Sequence, residues 1–346
     1  MTEFEILDML KSGNMEKFME MAKSFKSYPL VIPSYKLRKG AKLVREIDTL
    51  IGHDIPVYIF VYKDDYTESG YDNIPHHENV KFVLIEEKDF KEKGYYYRSV
   101  AGKRAFIQDY MTANNMGIYF TIDDDATGTG RIRLTSKPNK IVGCTLDLMM
   151  RILSKISEFL PSGWMMLESG CNIEVLGSNF NTLYIHNKVA SPRCFCLLNG
   201  VNMNAKDVHY YGAIKNFSED TKICFDIVKA GQPIWITRFL APAFKCENKK
   251  ESTFDRSYLW LGTIQMFKDN CEINIDEDLD CLKPTIPDGK VFVDNGCRYE
   301  WFKTDSYHKK LAELIDKIKD RNSPEYDEAL EFVKKYKNKQ DNLLDW

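Results

Sequence analysis

Short β-branched and aromatic runs alternate with helical patterns over the first 125 residues, and this alternation constrains the fold more than any other feature. Apolar runs bounded by turn residues are typical of buried strands, whereas apolar positions three and four apart indicate helices. Strands that alternate with helices favour an α/β fold with a mostly parallel sheet. The predicted strands cover residues 29–35, 57–62, 80–85 and 117–122, and the predicted helices cover residues 40–51 and 101–115, in the order β-α-β-β-α-β.

The rest of the chain is predicted to divide around this α/β region. Helical spacing at residues 3–26 predicts a helical N-terminal extension over residues 1–28, followed by the main domain over residues 29–245. Residues 246–346 are expected to form a mainly helical C-terminal extension, because the chain from Lys303 onward is highly charged with helical spacing. Further predicted elements are a helix at 146–160, strands at 164–167, 194–198 and 234–239, and a helix that opens at Ser218 and ends near Gly231.

The overall charge does not mark this chain as a nucleic-acid binder. Its 346 residues carry 48 Lys and Arg against 51 Asp and Glu, which leaves a formal net charge of −3. Contact with a polyanion would therefore depend on local basic patches. Two such patches are present, and either could instead be a solvated face: Lys36, Arg38, Lys39, Lys42 and Arg45, and Arg131, Arg133, Lys137 and Lys140.

Cysteine usage and the N-terminal residues predict a reduced, cytoplasmic location. The nine cysteines are odd in number and scattered, which argues against a disulfide scaffold and favours buried free thiols. The N-terminus lacks the basic and apolar regions of a signal peptide, and no apolar run approaches the length of a membrane span. We therefore expect no membrane partner.

Three adjacent aspartates, Asp123, Asp124 and Asp125, follow the predicted strand 117–122. Neighbouring carboxylates repel one another unless a cation or a pKa shift relieves the repulsion. Hard divalent cations prefer oxygen ligands, and Mg²⁺ is often held by one or two carboxylates together with substrate phosphates. The triplet therefore predicts a metal site for a phosphorylated substrate, although aspartates here could also begin a turn or cap a helix.

Polar and cationic residues are expected at the same edge of the sheet. Ser34-Tyr35-Lys36 follows the first predicted strand, and ligands of parallel sheets gather outside the carboxyl ends of the strands. Arg98, Lys103 and Arg104 stand near the start of the next predicted helix, where cations and a helix N-terminus suit phosphate oxygens. Gly102 would allow close approach of the backbone. A cationic surface turn is the alternative interpretation.

Two carboxylates, Glu219 and Asp220, follow Ser218 at the start of a predicted helix. The simplest explanation is N-terminal capping, although one of them could be a general base. His186 and His209 are isolated, and an isolated histidine is more often structural than a metal ligand.

Taken in order, these motifs resemble a GT-A glycosyltransferase. Arg104 precedes Asp123 by 123 − 104 = 19 positions, which is similar to the interval between the Arg and the DxD motif in that superfamily. The resemblance implies a Rossmann-like GT-A sheet, a nucleotide-sugar donor that is UDP-linked, and Mn²⁺ or Mg²⁺ as cofactor. It rests on the segments at residues 31–36, 59–62, 102–104 and 122–125, and on Glu219-Asp220 before Lys229-Ala230-Gly231.

Within that superfamily, the Pro33-Ser34-Tyr35-Lys36 opening and the Asp triplet resemble the TET/JBP-associated glycosyltransferases. Phage members of that family are linked to glycosylation of hydroxymethylated DNA bases. The resemblance covers roughly residues 29–245 and implies modified phage DNA as acceptor, within the cytoplasm of a bacterial host cell. The chain departs from the family in having Arg104-Ala105 where Arg-Asn is usual, and in lacking a clear Gly-Gly pair after the last strand.

The resemblance also implies roles for individual residues. The residues that would bind the donor are Pro33, Ser34, Tyr35, Lys36, Tyr62, Arg98, Lys103, Arg104 and Asp124. Those that would hold the metal are Asp123 and Asp125, and those that would act in catalysis are Asp220, as the base of an inverting enzyme, and Glu219.

Three other functions stay open from the residues alone. The acceptor could be a glycan or a protein rather than DNA. The chain could be a non-catalytic nucleotide-binding module of the same fold. It could also be a nucleotidyltransferase, because paired carboxylates after a strand hold metal ions in that class as well.

Overall fold

A computed structural model gives the fold of this chain. The residues that the structure describes are 2–37, 40–126, 128–133, 141–159, 163–168, 183–186, 194–201, 223, 234–237, 239–243, 324, 327, 328 and 331. In this part of the chain, helices flank a sheet with four parallel strands, which confirms the predicted α/β class.

The N-terminal segment forms two helices, α1 (Glu3–Ser12) and α2 (Met15–Ala22). They are separated at Gly13, whose φ of 74° caps α1 in the left-handed region that glycine adopts without strain. Ile6 and Phe18 are fully buried in the same apolar core as the main sheet. The predicted N-terminal extension is therefore packed into the main core.

Four parallel strands follow, each within a run predicted from the sequence. They are β1 (Leu30–Pro33), β2 (Val57–Tyr62), β3 (Val80–Ile85) and β4 (Phe120–Ile122). Their order across the sheet is β3-β2-β1-β4. The apolar, β-branched and aromatic character of these segments fits strands that helices cover on both faces.

Five helices connect these strands: α3 (Lys42–Arg45), α4 (Ile47–Leu50), α5 (Lys63–Glu68), α6 (Glu87–Lys93) and α7 (Val100–Ala113). The predicted order is wrong between β2 and β3, where α5 intervenes. The six residues of α5, Lys-Asp-Asp-Tyr-Thr-Glu, have no apolar periodicity that could indicate a helix. The predicted helix over 40–51 is divided at Glu46, whose φ of −115° lies outside the helical region.

The main sheet continues beyond β4 with four strands from later in the chain. They are β7 (Gly163–Glu168), β8 (Tyr184–His186), β9 (Cys194–Val201) and β10 (Ile234–Thr237), in the order β9-β7-β10-β8. β9 is antiparallel to its neighbours β4 and β7, and β8 is antiparallel to β10. The described sheet is therefore mixed, with its parallel strands predominating.

A second, antiparallel sheet was not predicted. Its order is β11-β5-β6, with β5 (Thr129–Arg133), β6 (Ile141–Thr145) and β11 (Leu240–Ala243). One face packs against helix α8 (Leu146–Ser157): a Cβ on Gly130 would lie 2.8 Å from Cys144 Sγ and 3.1 Å from Met149 Sδ. Glycines in β5 and β6 and a proline in β11 weaken the strand pattern of this sheet.

Of the predicted C-terminal extension, the structure describes residues 324, 327, 328 and 331, which are helical and exposed. Within the described ranges, no helix combines the length and apolar character needed to cross a bilayer.

Candidate functional site

The strand order reverses between β1 and β4, which are hydrogen-bonded neighbours. From β1 the chain moves outward to β2 and β3, and it then returns to the other side of β1. Such a reversal opens a crevice outside the carboxyl ends of the strands, where α/β proteins bind ligands. Ser34 follows β1 and the Asp triplet follows β4, so both predicted segments leave the sheet at this crevice.

Asp124 joins these two segments. Ser34 Oγ donates a hydrogen bond to Asp124 Oδ2 at 2.7 Å, and the Tyr35 backbone N–H donates to the same oxygen at 3.3 Å. Because Ser34 gives its only proton to Asp124, the Tyr71 hydroxyl, 2.7 Å away, donates to Ser34 Oγ. Ser34 and Asp124 are both buried. Asp124 therefore fixes the loop after β1 to the loop after β4.

The two outer aspartates lie in more open surroundings. Asp125 is exposed, and the side chain of Asp123 keeps 36% of its surface accessible. Asp123 Oδ1 accepts from Arg104 Nη2 at 3.2 Å, and the Arg104 side chain is 12% accessible. Two predicted site residues, Arg104 on α7 and Asp123 after β4, are thus brought into direct contact. This contact aligns the start of α7 with the triplet.

Lys103 lies beneath the loop after β1. Its ammonium group donates to the Ser34 carbonyl oxygen and lies 4.1 Å from the centroid of the Tyr62 ring. Lys103 is only 5% exposed and Tyr62 only 1%. Burial raises the pKa of Tyr62 far above its ordinary value, so its hydroxyl stays protonated. Both residues support the Ser34 loop from below in this structure.

Arg98 is engaged by the protein's own carboxylates. Its guanidinium lies 3.3 Å from Asp64 and 3.2 Å from Asp65, at the start of α5. The same group lies over the Tyr62 and Tyr97 rings, with centroids 5.3 and 5.6 Å away. Its backbone φ of 60° is left-handed, a conformation that costs a non-glycine residue about 1–3 kcal/mol. Arg98 therefore ties the loop before α7 to α5, rather than standing as an open cation.

Gly102 permits a close approach, but the approaching group belongs to the protein. A Cβ at this position would lie 2.3 Å from the Tyr96 carbonyl oxygen. The Ser99 side chain caps α7 by accepting from the Gly102 N–H at 2.9 Å. The glycine is needed for the turn of residues 96–99 to fold back on the first turn of α7.

The rim of the crevice is formed by the end of β1. Pro33 is the last residue of that strand, and Tyr35 is partly exposed with its ring edge-on to Tyr62. Lys36 is exposed, with a left-handed φ of 52° and its ammonium 5.8 Å from the Tyr35 ring centroid. Tyr35 and Lys36 are therefore the donor-site candidates most open to a ligand on this side.

Several predicted residues lie outside the part that the structure describes. They include the proposed base Asp220, its neighbour Glu219, and His209. Ile223, three positions after Asp220, is described as helical and buried. His186 is the last residue of β8 and is opposite Trp235 of β10.

Sequence reasoning missed two residues that organise the crevice. Tyr71 lies in a short 3₁₀ turn and holds Ser34, while Asp65 is 2% exposed and binds Arg98. The sequence gives little signal for either, because a tyrosine in a turn and an aspartate near a helix start are common surface residues.

Among the residues described by the structure, no group of three His, Cys, Asp or Glu side chains converges as a metal site. Asp123 and Asp125 therefore form at most a two-carboxylate site there. Such a site fits a hard cation that takes further oxygens from substrate phosphates and water. No known family model and no curated protein matches this chain.

Proposed function

We propose that this chain is a metal-dependent glycosyltransferase of the GT-A type that uses a nucleotide-sugar donor. One observation carries the proposal: within the triplet, Asp124 is buried and bonded to the loop after β1, while Asp123 is partly exposed and Asp125 is exposed. A purely structural turn would have little need for two further carboxylates beside the buried one, since their mutual repulsion is unfavourable.

In this proposal Asp123 and Asp125 are the residues that would hold Mn²⁺ or Mg²⁺. The bound metal supplies charge neutralisation for the departing diphosphate. Arg104 already contacts Asp123 at 3.2 Å, so its cation stands beside the place where the diphosphate binds. Two carboxylates and one nearby guanidinium match the combination of metal and cation that stabilises phosphate oxygens.

The nucleoside of a UDP-linked donor binds along the loop after β1. Tyr35 and Lys36 are the members of this loop that ligand can reach, since Ser34 is fully buried. Lys103 and Tyr62 hold the loop in place from below. A preorganised loop lowers the entropic cost of binding the donor.

Calorimetric titration of UDP in the presence and absence of Mn²⁺ tests the donor site. We expect UDP to bind with Mn²⁺ and to lose at least about tenfold in affinity when Asp125 is replaced by Asn. Asp72→Asn, which removes an exposed carboxylate from the 3₁₀ turn, is the matched control and should bind as the wild type does. UDP affinity independent of both Mn²⁺ and Asp125 would contradict a metal-dependent donor site.

We further propose a hydroxymethylated pyrimidine base of phage DNA as the acceptor. The ordered motifs shared with the TET/JBP-associated glycosyltransferases support this acceptor, and by the same resemblance Asp220 is the base, with Glu219 beside it. Radiolabelled sugar should appear in hydroxymethylcytosine-containing DNA but not in the unmodified duplex. Labelling of a glycan or a protein in its place would keep the transferase and reject DNA as the acceptor.

A further inference from the structure

The three-stranded sheet β11-β5-β6 has one buried and one open face. Gly130 and Ile132 of β5 are buried, whereas Thr129 is exposed. On β6, Gly143 and Thr145 are exposed. Because side chains alternate between the two faces of a strand, odd-numbered positions of β5 and β6 belong to the open face.

Arg131 and Arg133 occupy positions of this open face. Arg131 is two positions after the exposed Thr129 and is paired with the exposed Gly143, and Arg133 follows two positions later on the same strand. On the other side, Arg131 is opposite Ala241 of β11. Arg131 therefore has small residues opposite it on both adjacent strands, whereas Arg133 is opposite Ile141 of β6.

The segments that build this sheet are basic in a chain that is acidic overall. Residues 126–146 contain four basic residues, Arg131, Arg133, Lys137 and Lys140, and no Asp or Glu. Residues 237–245 contain two more, Arg238 and Lys245, and again no acidic residue. With a net charge of −3 for the whole chain, this is a local excess of positive charge. Arg131 and Arg133 are two positions, about 7 Å, apart along one strand, and a cluster of cationic residues attracts a polyanion.

The sheet is connected directly to the candidate site. β5 begins at Thr129, four positions after Asp125, so the chain passes from the crevice into the basic strand without an intervening element. A polymer bound along the arginines is therefore held by a strand that begins only four positions after the carboxylates of the proposed metal site.

We infer that the open face of β5 and β6, through Arg131 and Arg133, binds the phosphate backbone of the DNA acceptor. This inference rests on the proposed function for the choice of DNA as the polyanion. The contacts are to phosphate, so the surface positions the DNA and does not read its sequence. Such contacts release counterions, and the affinity therefore falls as salt increases.

Fluorescence anisotropy with a fluorescein-labelled DNA duplex, between about 50 and 200 mM KCl, tests this surface. We expect the logarithm of the affinity to fall linearly with the logarithm of the salt concentration. The double variant Arg131→Gln/Arg133→Gln should reduce that slope by about two, because each arginine neutralises one phosphate. Arg131→Lys/Arg133→Lys keeps both charges and should retain the wild-type slope.

Lys11→Gln/Lys17→Gln is the charge-matched control, because both lysines are exposed on the N-terminal helices. This control should bind DNA with the wild-type slope. Wild-type affinity that does not depend on salt, or an equal slope in the wild type and the Gln double variant, would overturn the inference. Loss of binding in the Lys double variant as well would also overturn it, since charge is then not what binds.

The DNA titration and a measurement of nucleotide-sugar turnover together separate this inference from the proposed function. Arginine-dependent DNA binding by a wild-type protein that turns over no nucleotide sugar would leave the surface in place and reject the transferase. Nucleotide-sugar turnover together with DNA binding that ignores Arg131 and Arg133 would do the reverse.

Discussion

Asp123, Asp124 and Asp125 are chemically identical, yet each has a different environment. Asp124 is 3% exposed and accepts hydrogen bonds from Ser34 and the Tyr35 backbone, whereas Asp125 is exposed. A buried carboxylate is tolerated where donors replace the lost water. Asp124 therefore acts within the fold, whereas Asp123 and Asp125 keep part of their surface accessible to solvent.

Asp124→Asn is expected to destabilise the fold by about 1.5–3 kcal/mol, because Ser34 Oγ and the Tyr35 N–H lose their charged acceptor. Asp125→Asn removes the same charge from an exposed position and should change stability by less than about 0.5 kcal/mol. Urea denaturation of both variants measures the difference. Equal stabilities would mean that Asp124 does not hold the two loops together.

The sequence identifies the triplet as a candidate but not its buried member. That distinction depends on Ser34, which lies 90 positions earlier, and on Tyr71, which is 37 positions from Ser34. Contacts between residues so distant in the chain follow from the order of the strands, which a local pattern of residues does not encode.

At the scale of elements, helix α7 is positioned by the turn in front of it. Arg98 binds the carboxylates at the start of α5, and the Tyr96 carbonyl oxygen lies against the backbone of Gly102. Lys103 and Arg104, in the next two positions, reach the loops after β1 and β4. A small displacement of this turn would therefore move both cations.

Gly102→Ala is expected to destabilise the protein by about 1–3 kcal/mol, because the new Cβ would overlap the Tyr96 carbonyl oxygen at 2.3 Å. It should also weaken UDP binding, since Lys103 and Arg104 shift with the helix. Gly117→Ala is the control, because a Cβ there meets nothing within 4 Å. Thermal denaturation and the UDP titration measure both effects, and a Gly102→Ala protein as stable as the Gly117→Ala protein would contradict the described turn.

Helix α8 is joined to two other segments of the chain by Arg151. Its guanidinium makes a bidentate contact with Asp54, donates to Asp147 at 3.0 Å and to the Phe25 carbonyl oxygen at 2.8 Å. Asp147 in turn accepts from the Gly52 N–H at 3.0 Å. One side chain thus connects α8, the segment after α2 and the loop before β2.

The Arg151 contact makes stability depend on pH. The hydrogen bond from Arg151 holds the pKa of Asp54 below its ordinary value of about 4. For an acid with a lowered pKa, the stabilisation is complete above the unfolded-state pKa and is lost as the pH falls through the folded-state pKa. Asp54→Asn should therefore cost about 1 kcal/mol or less at pH 7, since the Asp54 side chain is 65% exposed, and the difference should be smaller at an acidic pH below the ordinary pKa of about 4. Urea denaturation at both pH values measures it, and a deficit that grows in acid would contradict this sign.

At the scale of the whole molecule, the sequence predicts the positions of most strands of the main sheet better than their pairing. β1 to β4 are built from contiguous apolar runs, so their positions follow from local patterns. β4 ends at Ile122, and its partner β9 starts at Cys194, 72 positions later. The second sheet likewise combines β5 and β6 with the distant β11. Pairing at such separations is set by the overall fold, which explains why the second sheet was missed.

The same division applies to the crevice. Arg104 and Asp123, predicted for the donor and the metal respectively, contact each other directly, and the loop after β1 meets the triplet. Arg98 and Lys103 were predicted as cations for a ligand, whereas the fold engages them with Asp65 and the Ser34 carbonyl oxygen. Residue type alone does not reveal whether a cation faces a ligand or the protein's own acceptors.

The central claim is that Asp123 and Asp125 form a metal-dependent nucleotide-sugar site. Release of free nucleoside diphosphate from a panel of nucleotide sugars, with and without Mn²⁺, tests it most directly. We predict release that requires Mn²⁺, that is stimulated by hydroxymethylcytosine-containing DNA, and that is abolished in Asp125→Ala but retained in Asp72→Ala. Absence of metal-dependent release from every donor would contradict the claim and favour a non-catalytic binding module, whereas consumption of nucleoside triphosphates alone would favour a nucleotidyltransferase.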